Sequence, residues 1–92
     1  MMSKLVYKYP LGPAVPETYR IFMPEGAKPL SVGEQNEQLV LWAEVATSAH
    51  LSPWDVTIVW TGHGEPPADA PFVGTVQAQI GLVCHVYAKE AQ

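Results

Sequence analysis

Hydrophobic and polar residues alternate singly along most of this chain, in short runs cut by proline and glycine. Successive side chains of a strand point to opposite faces, so single alternation marks strands with one face buried. The first run is Lys4 to Tyr9, with Leu5, Tyr7 and Tyr9 opposed to Val6 and Lys8. The second is Thr18 to Met23, with Tyr19, Ile21 and Met23 opposed to Thr18, Arg20 and Phe22. The third and fourth, Pro29 to Gln35 and Gln38 to Ala46, read as a hairpin. Asn36 and Glu37 form its tip, because asparagine tolerates the left-handed backbone that such turns need. Leu39, Leu41, Ala43 and Val45 share one side of the fourth run; Val40, Trp42 and Glu44 share the other. The fifth is Trp54 to Thr61, the sixth Phe72 to Gln77 and the seventh Ile80 to Ala88. In the seventh, Leu82, Cys84 and Val86 oppose Gly81, Val83, His85 and Tyr87.

The connectors are as informative as the runs. Pro10, Gly12, Pro13 and Pro16 end the first run in an irregular stretch. Pro24-Glu25-Gly26 signals a type II turn. Thr47 to Pro53 reads as a loop with room for one helical turn, and Gly62 to Pro71 as a long unpaired loop, a common carrier of function in small domains. No window keeps the three-and-four spacing of an amphipathic helix. The expected fold is all-β: a single domain over residues 1–92, a small antiparallel β-sandwich or partly open barrel of about seven short strands.

Charge narrows the function. Nine acids against five bases give a net charge of −4, which argues against general nucleic-acid binding. The bases are unevenly placed: Lys4, Lys8, Arg20 and Lys28 precede residue 29, and Lys89 stands alone beyond them. A local basic patch able to hold a small anion is compatible with that distribution. One cysteine, Cys84, permits no internal disulfide and fits a reducing compartment. No signal peptide or membrane-length apolar stretch is present, so the expected location is the cytoplasm.

Candidate chemistry lies in the histidines, the tryptophans and the early bases. His50 reads as a solvated loop residue. His63 stands between Gly62 and Gly64, which allow close approach of backbone to a ligand. His85 lies in an apolar strand and needs a hydrogen-bond partner, for which Thr75 and Gln77 are candidates; structural satisfaction competes there with ligand binding. Cys84 and His85 are adjacent on a strand and point apart, so they form no nucleophilic pair. No metal-ligand spacing, nucleophile elbow or phosphate-binding glycine loop is present, and neither a cofactor nor catalysis is expected. Tryptophans in small β domains mostly pack cores, but Trp42 sits on the more polar side of its strand and is the best stacking candidate. Lys8 and Arg20 share a face if the first two strands pair, and would then hold a phosphate.

Lys8-Tyr9-Pro10-Leu11-Gly12, Met23-Pro24-Glu25-Gly26-Ala27, Leu41-Trp42-Ala43, Thr61-Gly62-His63, Gly74-Thr75-Val76-Gln77 and Leu82-Val83-Cys84-His85-Val86 together resemble a family of short tailed-phage and prophage proteins known only as a domain of unknown function. The likeness covers nearly the whole chain. It departs in a longer Ala46 to Trp54 connector and in Cys84, where the family more often has a large aromatic residue. The resemblance implies a phage setting, hence the cytoplasm of a host bacterium, and no particular chemistry. The leading expectation is a counter-defence binding protein that sequesters a small anionic, nucleotide-type ligand in a homo-oligomer. Its ligand set is Trp42 for stacking, Lys8 and Arg20 for phosphate, and Thr61, His63, Thr75, Gln77 and His85 for polar edges. The alternatives are an inhibitor of a host protein, working through an acidic face of Glu34, Glu37, Glu44, Glu65 and Asp69, or a minor virion structural or assembly protein.

Overall fold

In the computed structural model, which describes residues 3–79 and 81–91, the chain forms seven antiparallel strands in two sheets. They are β1 (Lys4–Gly12), β2 (Thr18–Pro24), β3 (Lys28–Gln35), β4 (Gln38–Ala46), β5 (Leu51–Trp60), β6 (Phe72–Gln77) and β7 (Val83–Glu90). One sheet has the order β1-β4-β3, the other β2-β5-β7-β6. They stack as a sandwich, not a closed barrel. Alternation decides the layers: Leu39, Leu41, Ala43 and Val45 of β4 turn inward to meet Val56 and Ile58 of β5 and Cys84 and Val86 of β7 in one core. Each of these side chains is almost wholly removed from water, the main source of stability in a domain this small.

Several strands are longer or placed differently than the alternation suggests. Pairing of β1 continues through Pro10 to Gly12, because Pro10 lies on an edge strand where a missing N–H can face away from the neighbour. An irregularity between Pro10 and Gly12 leaves Leu11 without a cross-strand partner and buries it. Gly12, at φ 133°, lies so close to the Tyr19 ring that a Cβ would come within 3.1 Å of its hydroxyl. β5 begins at Leu51 and takes in Pro53, although it is a central strand. The Pro53 carbonyl accepts from the Ala91 N–H beyond the end of β7, so the missing N–H lies on that same side and costs only the reciprocal bond to Ala91 C=O, past the last residue of β7. The expected start of the seventh run, Ile80, lies outside the described residues; β7 itself runs from Val83 to Glu90. At the second turn, Ala27 N–H bonds Pro24 C=O at 3.0 Å with Gly26 at φ 79°, so Pro24 takes the first corner rather than the second.

The first two strands do not pair. β1 lies against β4 and β2 against β5, in different sheets. β1 is held chiefly by β4. Leu5 and Tyr7, though on the inward side, are 50% and 42% exposed, and Val6 on the other side is 58% exposed. The molecule is flat, 44 × 28 × 15 Å, and exposes 5640 Å², against about 5,200 Å² expected for its mass.

The β3–β4 hairpin closes as anticipated through Asn36 and Glu37, with Gln35 opposite Gln38. Both tip residues have positive φ, 52° and 63°. Asparagine tolerates this; glutamate does so at a cost of about 1 kcal/mol. Replacing Glu37 with glycine is therefore expected to raise stability by roughly 0.5–1 kcal/mol, or about 2–8 °C in Tm, measured by thermal and urea unfolding.

Candidate functional site

The outward face of the β1-β4-β3 sheet is built by the residues that alternate with the core. Trp42 of β4 stands opposite Lys8 of β1 on one side and Ser31 of β3 on the other. Its indole lies across Gly33, where an added Cβ would come within 3.0 Å of the ring, and is half-buried. One row along, Glu44 stands between Val6 and Lys28, with Lys4 at 3.8 Å from its carboxylate. Lys8 reaches over the strand between to donate to Gln35 at 2.9 Å. Three lysines and one glutamate thus share a face with the tryptophan on a protein of net charge −4, Lys8 directly opposite it, Lys28 and Glu44 one row along and Lys4 two rows along.

The outward face of the other sheet carries most of the remaining candidates, and its polar groups are bonded to one another. His85 stands opposite Thr75, whose hydroxyl lies 3.0 Å from Nδ1; Nε2 lies 2.7 Å from the Thr61 hydroxyl. Thr61 also donates to Val83 C=O at 3.4 Å. Both ring nitrogens of His85 are thus engaged by threonine hydroxyls. Gln77 lies on the same face opposite Val83, one row from the imidazole. Arg20 is bound to Asp55 in bidentate fashion, Nε at 3.1 Å and Nη2 at 3.4 Å. Thr18 and Thr57 bond each other at 3.0 Å.

The expected ligand set therefore divides. Trp42 and Lys8 share one sheet face; Arg20, Thr61, Thr75, Gln77 and His85 lie on the other sheet. Lys8 and Arg20 are not neighbours, because their strands belong to different sheets and Arg20 is committed to Asp55. His63 follows β5 in a tight turn, its N–H bonded to Trp60 C=O at 3.1 Å and its ring edge-on to Trp60 at 6.1 Å. It is exposed and borders a depression of about 200 Å³ with Thr18, Val59 and Glu65, apart from Trp42. The supposed acidic face also disperses. Glu44 sits among the lysines, Glu34 accepts from the Gln79 N–H, and Asp69 pairs with Lys89. Lys4 and Lys28 join the Trp42 face without having been singled out for it; only the strand order places them there.

Cys84 points inward, away from His85, and burial pushes its thiol up, with the Glu34 charge adding to the effect. Trp60 donates its indole N–H to Ala14 C=O at 3.1 Å. Trp54, 6% exposed, has no partner for its indole N–H among the described residues, an omission that costs about 1–3 kcal/mol. Among the described residues no three of His, Cys, Asp and Glu come together as a metal cage.

Lys89 donates to Asp69 at 2.6 Å; that hydrogen bond first, and the lysine charge second, hold the Asp69 carboxyl below the usual range. The folded pKa is lower than the unfolded one, so the pair supports folding above the ordinary carboxylate pKa and loses that support as pH falls through the folded value. Asp69 is well exposed, so the effect is local. A carboxylate-carbon NMR titration is expected to place its midpoint below the ordinary value. That midpoint should return to ordinary in Lys89→Met and drift upward in wild type at high salt.

Comparison with known proteins identifies a family and little else. No curated protein and no solved structure matches the chain. The family model described as "Domain of unknown function (DUF7352)" matches residues 2–92, and the chain belongs to that family.

Proposed function

We propose that the protein is a phage- or prophage-encoded binding protein, without catalytic activity, that sequesters a small anionic, nucleotide-type ligand in the cytoplasm of a bacterial host and so blunts a host defence. The observation that carries this reading is the contrast between its two outward faces. On the β2-β5-β7-β6 side, Arg20 and His85 are already satisfied by neighbours. On the other side, Lys8 stands opposite a half-buried Trp42, Lys28 lies one row along beside Glu44, and Lys4 follows in the row beyond, on the same outward face. A flat ring backed by Gly33 stacks a base, and the lysines neutralise phosphate. Relative to the set expected from sequence, Arg20 drops out, and Lys4 and Lys28 enter.

A homo-oligomer belongs to the same reading. β1 is an edge strand with Leu5, Val6 and Tyr7 exposed. Such an edge invites pairing. Antiparallel pairing of two β1 strands about Tyr7 sets Leu5 opposite Tyr9 and Val6 opposite Lys8. No two lysines then face each other, and two Trp42 faces share one continuous sheet. A host protein seated on the same strip is the second reading, favoured by the same exposed side chains.

The test is a thermal-shift and calorimetric screen of cyclic mono- and dinucleotides and ADP-ribose. A ligand at 100 times its Kd is expected to stabilise the fold by about 2.7 kcal/mol. Trp42→Ala is expected to weaken binding by about 1–3 kcal/mol, and Lys8→Ala by less. A screen in which none of these compounds stabilises the protein would remove the reading. Light scattering is expected to show a dimer that Val6→Lys with Tyr7→Lys converts to monomer; a wild-type monomer leaves β1 to the host-protein reading.

A further inference from the structure

The two sheets meet closely where Gly74 of β6 faces Val32 of β3, so closely that an added Cβ would lie 3.1 Å from the valine methyl. Both strands become irregular just beyond that contact, between Pro29 and Ser31 in β3 and between Phe72 and Gly74 in β6. A cleft of about 240 Å³ opens there, with apolar walls from Pro29, Pro71, Phe72, Val73 and Ala88. The two prolines stiffen these walls, since a pyrrolidine ring fixes φ. The Phe72 ring is steadied by an edge-on contact with Tyr87 at 5.5 Å. The cleft plays no part in the reading above.

Lys89 and Glu90 bring two charges to the lining, and they differ in commitment. Lys89 donates to Asp69 at 2.6 Å. Glu90 is half-buried, and its carboxylate has neither an ion pair nor a hydrogen-bond donor among the described residues. The other half-buried acids are all engaged: Glu34 accepts from the Gln79 N–H, Glu44 faces Lys4, and Asp55 holds Arg20. Glu90 has the strand parity of inward-facing Ala88 and pairs in register with Trp54. Its side chain therefore rises on the cleft side of the sheet, not outward with Lys89. A carboxylate stripped of part of its water and given no partner is an open half of an ion pair.

We propose that this cleft is a binding site for a small organic cation of the arylalkylammonium class, its ring between the proline and phenylalanine walls and its ammonium on the Glu90 carboxylate. The volume suits a single ring with a short side arm, not a drug-sized molecule. The walls favour an apolar ring face. With Lys89 neutralised by Asp69, the uncompensated charge at the mouth is negative, on a protein of net charge −4, so the site attracts cations and repels anions.

The site is tested on the full-length protein at neutral pH with phenethylamine, and with phenethyl alcohol and hydrocinnamate as matched neutral and anionic compounds. Titrations are followed by NMR of the side-chain methyls. Phenethylamine is expected to shift the Val73 and Ala88 methyls, saturating in about the millimolar range allowed to a ligand of roughly nine non-hydrogen atoms. Phenethyl alcohol is expected to bind about two- to five-fold more weakly, as for loss of one partly exposed ion pair, and hydrocinnamate more weakly still. Glu90→Gln is expected to bind amine and alcohol alike. Phe72→Ala, at an exposed position, is expected to weaken both by a similar factor of about three to ten. Val73 and Ala88 methyls unmoved by phenethylamine would overturn the proposal. So would alcohol or hydrocinnamate binding as tightly as the amine, or a preference for the amine that survives Glu90→Gln. The wild-type comparison of the three compounds decides the matter even if a variant fails to fold, and its result is independent of any ligand on the Trp42 face.

Discussion

The structure depends on one constraint: the inward face of β4 must be covered by the inward faces of β5 and β7. Leu39, Leu41, Ala43 and Val45 become dry only when Val56, Ile58, Cys84 and Val86 lie against them. A shift of β4 by one residue would drive Trp42 and Glu44 into that interior and turn four apolar side chains outward. The register of every other strand follows from this one. Which polar groups reach the surface, and beside which neighbours, is thus a by-product of core packing.

That dependence explains what the sequence reveals and what it conceals. β4 and β6 have the limits their alternation indicates, because their ends coincide with turns that local chemistry specifies. The Asn36-Glu37 tip is legible for the same reason. The partnership of His85 with Thr75 is also legible, since strand parity puts both on one face and a short turn joins β6 to β7. Strand order is not legible. β1 pairs with a strand far along the chain, and nothing local to Lys8 says that its neighbour is Trp42 rather than Arg20. Pro53 looks like a strand breaker until the end of β7 is known, because its missing N–H costs only a terminal rung, opposite Ala91 beyond that end.

The two outward faces show that polar residues of similar type differ in value according to their commitments. The threonine–histidine–threonine chain and the Arg20–Asp55 pair tie the polar groups of one sheet to one another. The Trp42 face has the opposite balance: Lys28 has no ion pair among the described residues, and Lys4 approaches Glu44 only to 3.8 Å. Composition alone treats Arg20 and Lys28 as equivalent bases. Geometry separates them.

The attachment of β1 to a single neighbour also bears on how the protein is made. Ala46, the end of β4, lies 34 positions beyond Gly12, so β1 waits about 2–7 s after its own synthesis for its partner at ordinary rates of synthesis. During that interval Leu5, Val6, Tyr7 and Tyr9 are sticky and uncovered. Lys4, Lys8 and Pro10, interleaved with them, are the residues that discourage aggregation until β4 arrives. The same lysines that give the finished sheet its positive face thus act as guardians of the nascent chain.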